Sequence, residues 1–312
     1  MDKDIFNFLI EKAIKAPSGH NTQPWKFQEV GENSITVIPD FERQLPFVDP
    51  YNRELFISVG CAVENMRIAA ESKGYSVHVT IDDINTTLRL EKNGSMGEFF
   101  LNDVIPHRQT NRGLYADKML PQQTIKALEE CGAHLYAKGT PLFDEITQGV
   151  LRGDELQMNN PCFRDELRKW MRFNEKDSQK SRDGLSYAVF GAPNMPRFIS
   201  STVMTALLRP SIQKKSDHKR IMSSSHFAVL SGADSIDNWI NLGRRLERML
   251  LTATKYSVAY AFLNQPCEEK HIAEDLKAKL SLTERPQIIL RLGYATEATY
   301  SLRRPLETFI AE

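Results

Sequence analysis

The sequence predicts an α+β chain made of two similar halves, residues 1–102 and 103–312. Three observations predict it. Apolar residues recur at helical spacing in some windows and in short, turn-bounded runs in others. Each half has helices and strands, then one long helix, then a late strand, which is a weak internal repeat. The length, 312 residues, fits one large domain or two ordinary ones. Two unrelated α+β domains is the competing reading at this level.

Residues 4–15 read as an amphipathic helix, with Ile5, Phe8, Leu9, Lys12 and Ala13 at helical spacing, stopped by Pro17, Ser18 and Gly19. Strands are expected at Trp25–Val30 and Ser34–Ile38, followed by a Pro- and Asp-rich loop over Asp40–Arg53. A long helix is expected from Glu54 to Lys73, with Gly74 at C′. Strands follow at Ser76–Ile81 and Thr87–Glu91, then a loop over Asp103–Tyr115. A helix starts near Pro121, which suits N1, and a strand spans Ala133–Ala137. Helices are expected at 141–158 and 163–173.

Residues 174–222 carry basic and polar stretches around a Pro/Gly-punctuated apolar piece, without clear periodicity; this reads as a functional flap or a flexible linker. Beyond it lie a strand (His226–Leu230), a long helix (Ile236–Thr254), a strand-like or helical piece (Val258–Leu263), a helix (268–280) and a final strand (Gln287–Leu292).

Composition narrows the function classes. Lys plus Arg equals Asp plus Glu at 40 each, so nothing suggests a nucleic-acid surface. The N-terminus is charged throughout and lacks a small-residue cleavage site, and no run is long and apolar enough to span a bilayer. Four scattered cysteines without a C-x-x-C pair fit reduced thiols and a cytoplasmic location. The seven histidines show no metal spacing. Neither a nucleophile elbow, a P-loop nor G-x-G-x-x-G is present.

Three strings remain. Ala16-Pro-Ser-Gly-His-Asn-Thr-Gln-Pro-Trp25 follows a helix and precedes a strand; by composition alone it is a turn. Arg108-Gln-Thr-Asn-Arg112, with Tyr115 after it, is by itself a solvated basic loop. Ser301-Leu-Arg-Arg-Pro-Leu306 is by itself an exposed basic tail.

Together these strings resemble nitroreductase-family flavoproteins. The first is similar to the family's P-S-x-x-N-x-Q-P-W segment, which lies against the isoalloxazine ring of FMN. The resemblance implies ring contacts from Pro17, Ser18, Gly19, His20 and Asn21. Pro and Gly let backbone approach a flat ring, and an Asn amide offers both donor and acceptor. His20 is otherwise a structural turn residue. The second string resembles the R-R-S-x-R-x-F signature, with Gln109 in place of a basic residue and the aromatic one position late. The likeness implies that Arg108, Gln109 and Thr110 hold the FMN phosphate, while Arg112 reaches the flavin N1–C2=O edge. The third resembles the terminal K-x-R-x-P contact, with Arg303 on the arginine, Ser301 where the lysine would stand and Arg304 compensating. The region Phe227–Glu268 also resembles the family's central helix, where small residues Thr252, Ala253 and Ser257 let a ring pack close.

The ring-wall string lies in the first half and the phosphate string in the second, where Cys131–Tyr136 stands in place of a second ring wall. This pattern resembles Acg-type nitroreductase-like proteins, single-chain pseudo-dimers. So do Asp49–Gly60 and Arg285–Tyr294. The resemblance implies a nitroreductase-like fold, one FMN per monomeric chain, and a lid at 174–222. It implies hydride passing from NAD(P)H through flavin N5 to a nitro, quinone or similar small oxidised acceptor. No side chain need act as acid or base, so no catalytic residue and no metal is assigned. A flavin-sequestering protein with a lid and little turnover is the alternative, and a flavin-free structural remnant is the weaker third reading.

Overall fold

The computed structural model describes residues 1–94, 97, 99–207 and 210–311. In chain order the elements are α1 (Lys3–Ala13), β1 (Trp25–Val30), β2 (Ser34–Pro39), α2 (Arg53–Ser72), β3 (Tyr75–Asp82), β4 (Asn85–Lys92), α3 (Phe99–Val104), α4 (Gln122–Glu129) and β5 (His134–Ala137). Then come α5 (Pro141–Asn159), α6 (Pro161–Trp170), β6 (Met171–Arg172), α7 (Glu175–Ser181), β7 (Leu185–Ser186), α8 (Arg197–Leu207) and α9 (Pro210–Ser223). The chain ends with β8 (His226–Ser231), α10 (Ile236–Lys255), β9 (Ala259–Phe262), α11 (Gln265–Glu268), α12 (Lys270–Lys279) and β10 (Pro286–Gly293). Helices and strands are thus mixed, as expected. None of the described helices is long and apolar enough to cross a membrane.

The chain folds into two compact units. The first holds Met1–Arg108, Asp234–Lys255 and the residues from Arg303 onward; the second holds Gln109–Ala233 and Tyr256–Leu302. The first junction falls just after Arg108, six residues beyond the boundary expected from the sequence, and two later segments return to the first unit.

In the first unit an antiparallel sheet runs in the order β1-β2-β4-β3. The helices α2 and α10 pack closely because two glycines face each other. A Cβ on Gly60 would fall on the Ile240 carbonyl and 3.0 Å from the Gly243 Cα, and one on Gly243 would fall on the Ile57 carbonyl. The Cys61 thiol donates to the Gly243 carbonyl at 3.2 Å. Ile68, Leu101, Ile105 and Leu251 form an apolar cluster nearby. Gly74 takes φ +80° after α2, the left-handed conformation a C′ glycine supplies.

In the second unit the sheet order is β5-β8-β10-β9, again antiparallel. β10 is buried along its whole length, as its apolar run requires. One face packs on α5 and α12 through Phe143, Ile146, Val150, Phe227, Ile272, Leu276 and Ile289. Val258–Leu263 resolves as strand β9. Pro121 caps α4 rather than starting it. The helix expected over 163–173 ends at Trp170, and Met171–Arg172 pairs in parallel with Leu185–Ser186 instead.

Residues 174–222 are not an irregular connection. They hold α7, β7, a 3-10 turn (Tyr187–Phe190), α8 and α9; residues 208 and 209 of this stretch lie outside the described ones. Its helices escaped the sequence pattern because its buried face is small: Met171, Phe173 and Met204 form one apolar cluster with Tyr187 against it. In α9 only Asp217 and Ile221 are buried, so that helix has almost no apolar stripe to read.

Candidate functional site

The ring-wall string forms a tight turn in the first unit. α1 ends at Ala13, and Pro17 forbids its continuation. The chain then passes through a 3-10 turn at Gly19–Asn21. His20, Asn21 and Gln23 all adopt left-handed backbone, with φ of 49°, 55° and 56°. Three such non-glycine residues among four cost on the order of 1–3 kcal/mol each. Local bonds offset part of this. Ser18 accepts at its Oγ from the Gln23 N–H at 2.9 Å, and its carbonyl accepts from the Asn21 N–H at 2.9 Å. The Arg43 Nε donates to the Thr22 carbonyl. Pro17 and Asn21 through Trp25 are buried, whereas Ser18, Gly19 and His20 remain half-buried. Those three are the most exposed part of the turn.

The C-terminal segment fastens this turn. Arg303 donates from Nε to the Ile14 carbonyl (2.6 Å), from Nη2 to the Lys15 and Ala16 carbonyls (3.1 and 3.0 Å), and from Nη1 to the Asn21 Oδ1 (2.9 Å). A cation just beyond the C-terminus of α1 also complements the helix dipole. The Arg304 N–H donates to the Gln23 Oε1 and its Nη2 to the Gln23 carbonyl, both at 3.0 Å. Ile310 then bridges Phe27 in parallel at the edge of β1.

Arg108 reaches the same place. Its Nη2 donates to the Lys15 carbonyl at 3.0 Å, and its Nε lies 3.5 Å from the Glu247 carboxylate on α10. Both side chains are buried. Burial pushes the Glu247 carboxyl up to about 7, with Arg108 opposing. Burial, then the like charge of Arg108, lowers Arg303 to about 9. The structure therefore brings Arg303 and Arg304 onto the Pro17–Gln23 turn, and Arg108 onto Lys15 just before it. Glu247 was missed by sequence reasoning. The available signal was a carboxylate between Leu246 and Met249 on the buried face of α10.

The rest of the basic string belongs to the second unit. Gln109 donates to the Thr299 carbonyl at 2.6 Å and to the Ser301 hydroxyl at 3.3 Å. Thr110 is half-buried. Asn111 is locked by its N–H on the Tyr260 carbonyl (2.8 Å) and its Nδ2 on the Thr296 carbonyl (2.7 Å). Arg112 lies over the Phe190 ring at 5.9 Å. Burial, then Arg220 and Arg291, lowers its guanidinium to about 10, with Tyr115 opposing. Arg291 stacks on Tyr115 at 4.0 Å and donates to the Asn111 and Gly113 carbonyls at 3.3 and 2.7 Å. Arg291 and Arg220 were also missed; a lone arginine within the apolar run of β10 was the legible sign of the first.

No protein-family profile matches the chain. Two proteins of Mycobacterium tuberculosis are similar along 94% of it. One, named "Putative NAD(P)H nitroreductase Rv3131", is 25% identical over 311 residues, with 86% of its own length covered. The other, named "Putative NAD(P)H nitroreductase acg", is 22% identical over 309 residues, with 90% of its own length covered. Among solved structures, the FMN-dependent nitroreductase NfnB from Mycobacterium smegmatis in complex with NADPH matches with a TM-score of 0.43 and 14% identity. That match covers 67% of this chain and 96% of the other.

Proposed function

We propose, from the likeness to those two mycobacterial proteins along nearly the whole chain, that this protein is an FMN-dependent NAD(P)H oxidoreductase of the nitroreductase kind. The observation that carries the reading is the Pro17–Gln23 turn. It keeps three non-glycine residues left-handed and is braced by Arg43, Arg303 and Arg304. Backbone strain held in place by outside groups is a mark of functional sites.

The residues fit a flat, amide-edged ring. Pro17 and Gly19 present backbone rather than bulk, and a Cβ at Gly19 would already press on the Leu45 Cδ1 at 3.2 Å. Ser18 and His20 stand half-exposed beside them. FMN, when bound, supplies hydride chemistry between NAD(P)H and a nitro, quinone or similar acceptor. The chain's part is placement: the turn offers a face of fixed shape, and Asn21 is oriented by its bond from Arg303. No side chain is assigned to proton transfer. The four-stranded antiparallel sheet in each unit supports the reading of two related halves in one chain.

An absorbance spectrum of the purified protein with flavin stoichiometry tests the reading; one FMN per chain is expected. A colourless protein that takes up no added FMN, or two flavins per polypeptide, would sink it. NAD(P)H oxidation with menadione or nitrofurazone then separates an enzyme from a flavin store. An FMN-loaded protein that dithionite reduces but that never turns over is a store.

A further inference from the structure

We propose that the second unit holds a phosphate site built by Arg112 together with Arg220 of the inserted segment. Arg112 has no carboxylate partner among the described residues; its recorded neighbours are the Phe190 ring, Tyr115 and two further arginines. One guanidinium ties these pieces together. Arg291 donates to the carbonyls on either side of Arg112, those of Asn111 and Gly113, and from Nη1 to the Arg220 carbonyl at 3.2 Å. Ser223 adds a second tie, accepting from the Tyr115 N–H at 3.1 Å and donating to the Arg220 carbonyl at 2.7 Å. The insertion thus flanks Arg112 with Phe190 and Arg220.

Charge identifies the ligand class. Asp217 is the carboxylate recorded beside this cluster, 3.1 Å from the Arg220 Nη1. It also accepts from the Gln213 amide at 2.7 Å. Burial, and then the neighbouring Asp217 carboxylate, push the Asp154 carboxyl up to about 9, so it adds no negative charge at neutral pH. Among the described residues, three guanidinia against one carboxylate leave two positive charges over in a partly buried place, which favours a counter-anion. A reduced flavin edge carries one negative charge; a phosphate monoester carries close to two at neutral pH. Two arginine forks also match phosphate oxygens in geometry. Arg291 is spent on carbonyls, so Arg112 and Arg220, whose side chain is 27% exposed, are the groups that touch the ligand. This assignment replaces the flavin-edge role that the resemblance implies for Arg112, and it stands whether or not the turn in the first unit binds a ring.

The test is thermal unfolding of the full chain, titrated with inorganic phosphate against chloride at matched ionic strength. The wild type should gain Tm saturably, as a ligand that binds only the folded state requires. Arg112→Gln and Arg220→Gln should each weaken the phosphate response at least tenfold. Arg112→Gln should also melt higher than wild type in phosphate-free buffer, since it removes an uncompensated charge. Should that variant not fold, Arg112→Lys keeps the charge, loses the fork and should show an intermediate response.

Competition distinguishes the sources. Phosphate that displaces FMN but not riboflavin identifies the phosphate of FMN as the occupant. Phosphate that binds without displacing FMN identifies a separate phosphate ligand. A wild type that ignores phosphate, or glutamine variants that respond like wild type, would overturn the proposal. So would an Arg220→Gln protein whose flavin potential moves while its phosphate response stays intact. A protein that binds FMN and ignores phosphate refutes only this site; one that responds to phosphate and binds no FMN refutes only the flavin reading.

Discussion

The Arg303 Nη1 donates to the Asn21 Oδ1 at 2.9 Å, and so joins residues 282 positions apart in the chain. The same guanidinium satisfies the carbonyls of Ile14, Lys15 and Ala16. It therefore holds both the end of α1 and the strained turn after it. The resemblance implies that Arg303 and Arg304 contact a phosphate; in the first unit Arg303 also bonds the end of α1 and Asn21, and Arg304 also bonds Gln23.

Arg303→Lys should lose nearly as much as Arg303→Gln. A single ammonium cannot span four acceptors arranged for a planar fork. The expected loss of folding stability is about 2–3 kcal/mol, the scale of charge-assisted hydrogen bonds. Amide exchange across residues 14–23 should quicken in both variants. A lysine variant that keeps wild-type protection would show that charge alone is needed there.

Arg108→Ala should destabilise the flavin-free protein by about 1–3 kcal/mol at neutral pH, because it removes the cation facing the buried Glu247, whose carboxyl then takes up a proton. Urea unfolding measures this. It should also weaken FMN binding. Weaker FMN binding with unchanged stability would mean that the pairing with Glu247 is dispensable.

Glu247 gives a pH dependence with a definite sign. Its folded carboxyl is raised from 4.5 to about 7. The folded state then holds the proton more tightly than the unfolded chain does. Its contribution is most favourable below pH 4.5 and falls away as pH rises towards 7. In Glu247→Gln the difference in unfolding free energy from wild type should therefore shift in the variant's favour between pH 5 and 7.5. A difference that is flat across that range would show that Glu247 ionises normally.

Gly60→Ala and Gly243→Ala should each be severe. The added methyl meets backbone carbonyls across the α2–α10 contact, and backbone has no rotamer to yield. A loss of about 3 kcal/mol or more is expected. Gly31→Ala is the control: its Cβ would meet nothing within 4 Å, so its cost comes from φ +66° alone. Equal effects from contact and control glycines would show that the helices part easily.

Much of the fold was readable in order. The long helices α2 and α10 announced themselves by apolar spacing, and β10 by a continuous apolar run. The turn after α1 was readable because Pro, Gly and Asn have local conformational preferences that need no partner. The basic string was readable as residues but not as a single object. Arg108 joins the Lys15 carbonyl and Glu247, while Gln109 joins Thr299 and Ser301. The helices of residues 174–222 were illegible because they bury little; their polar faces leave no periodic trace.

By itself the sequence determined what depends on neighbours in the chain: the helix and strand periods, the stop at Pro17, and the left-handed glycine after α2. Tertiary structure alone decided which distant groups meet. It set Arg303 on the turn, Gly60 against Gly243, Glu247 beneath Arg108, and Arg291 between Arg112 and Arg220. The physical reason is range. Backbone preference acts over a few residues, whereas a buried charge or a missing side chain has meaning only once a partner from elsewhere in the chain is beside it.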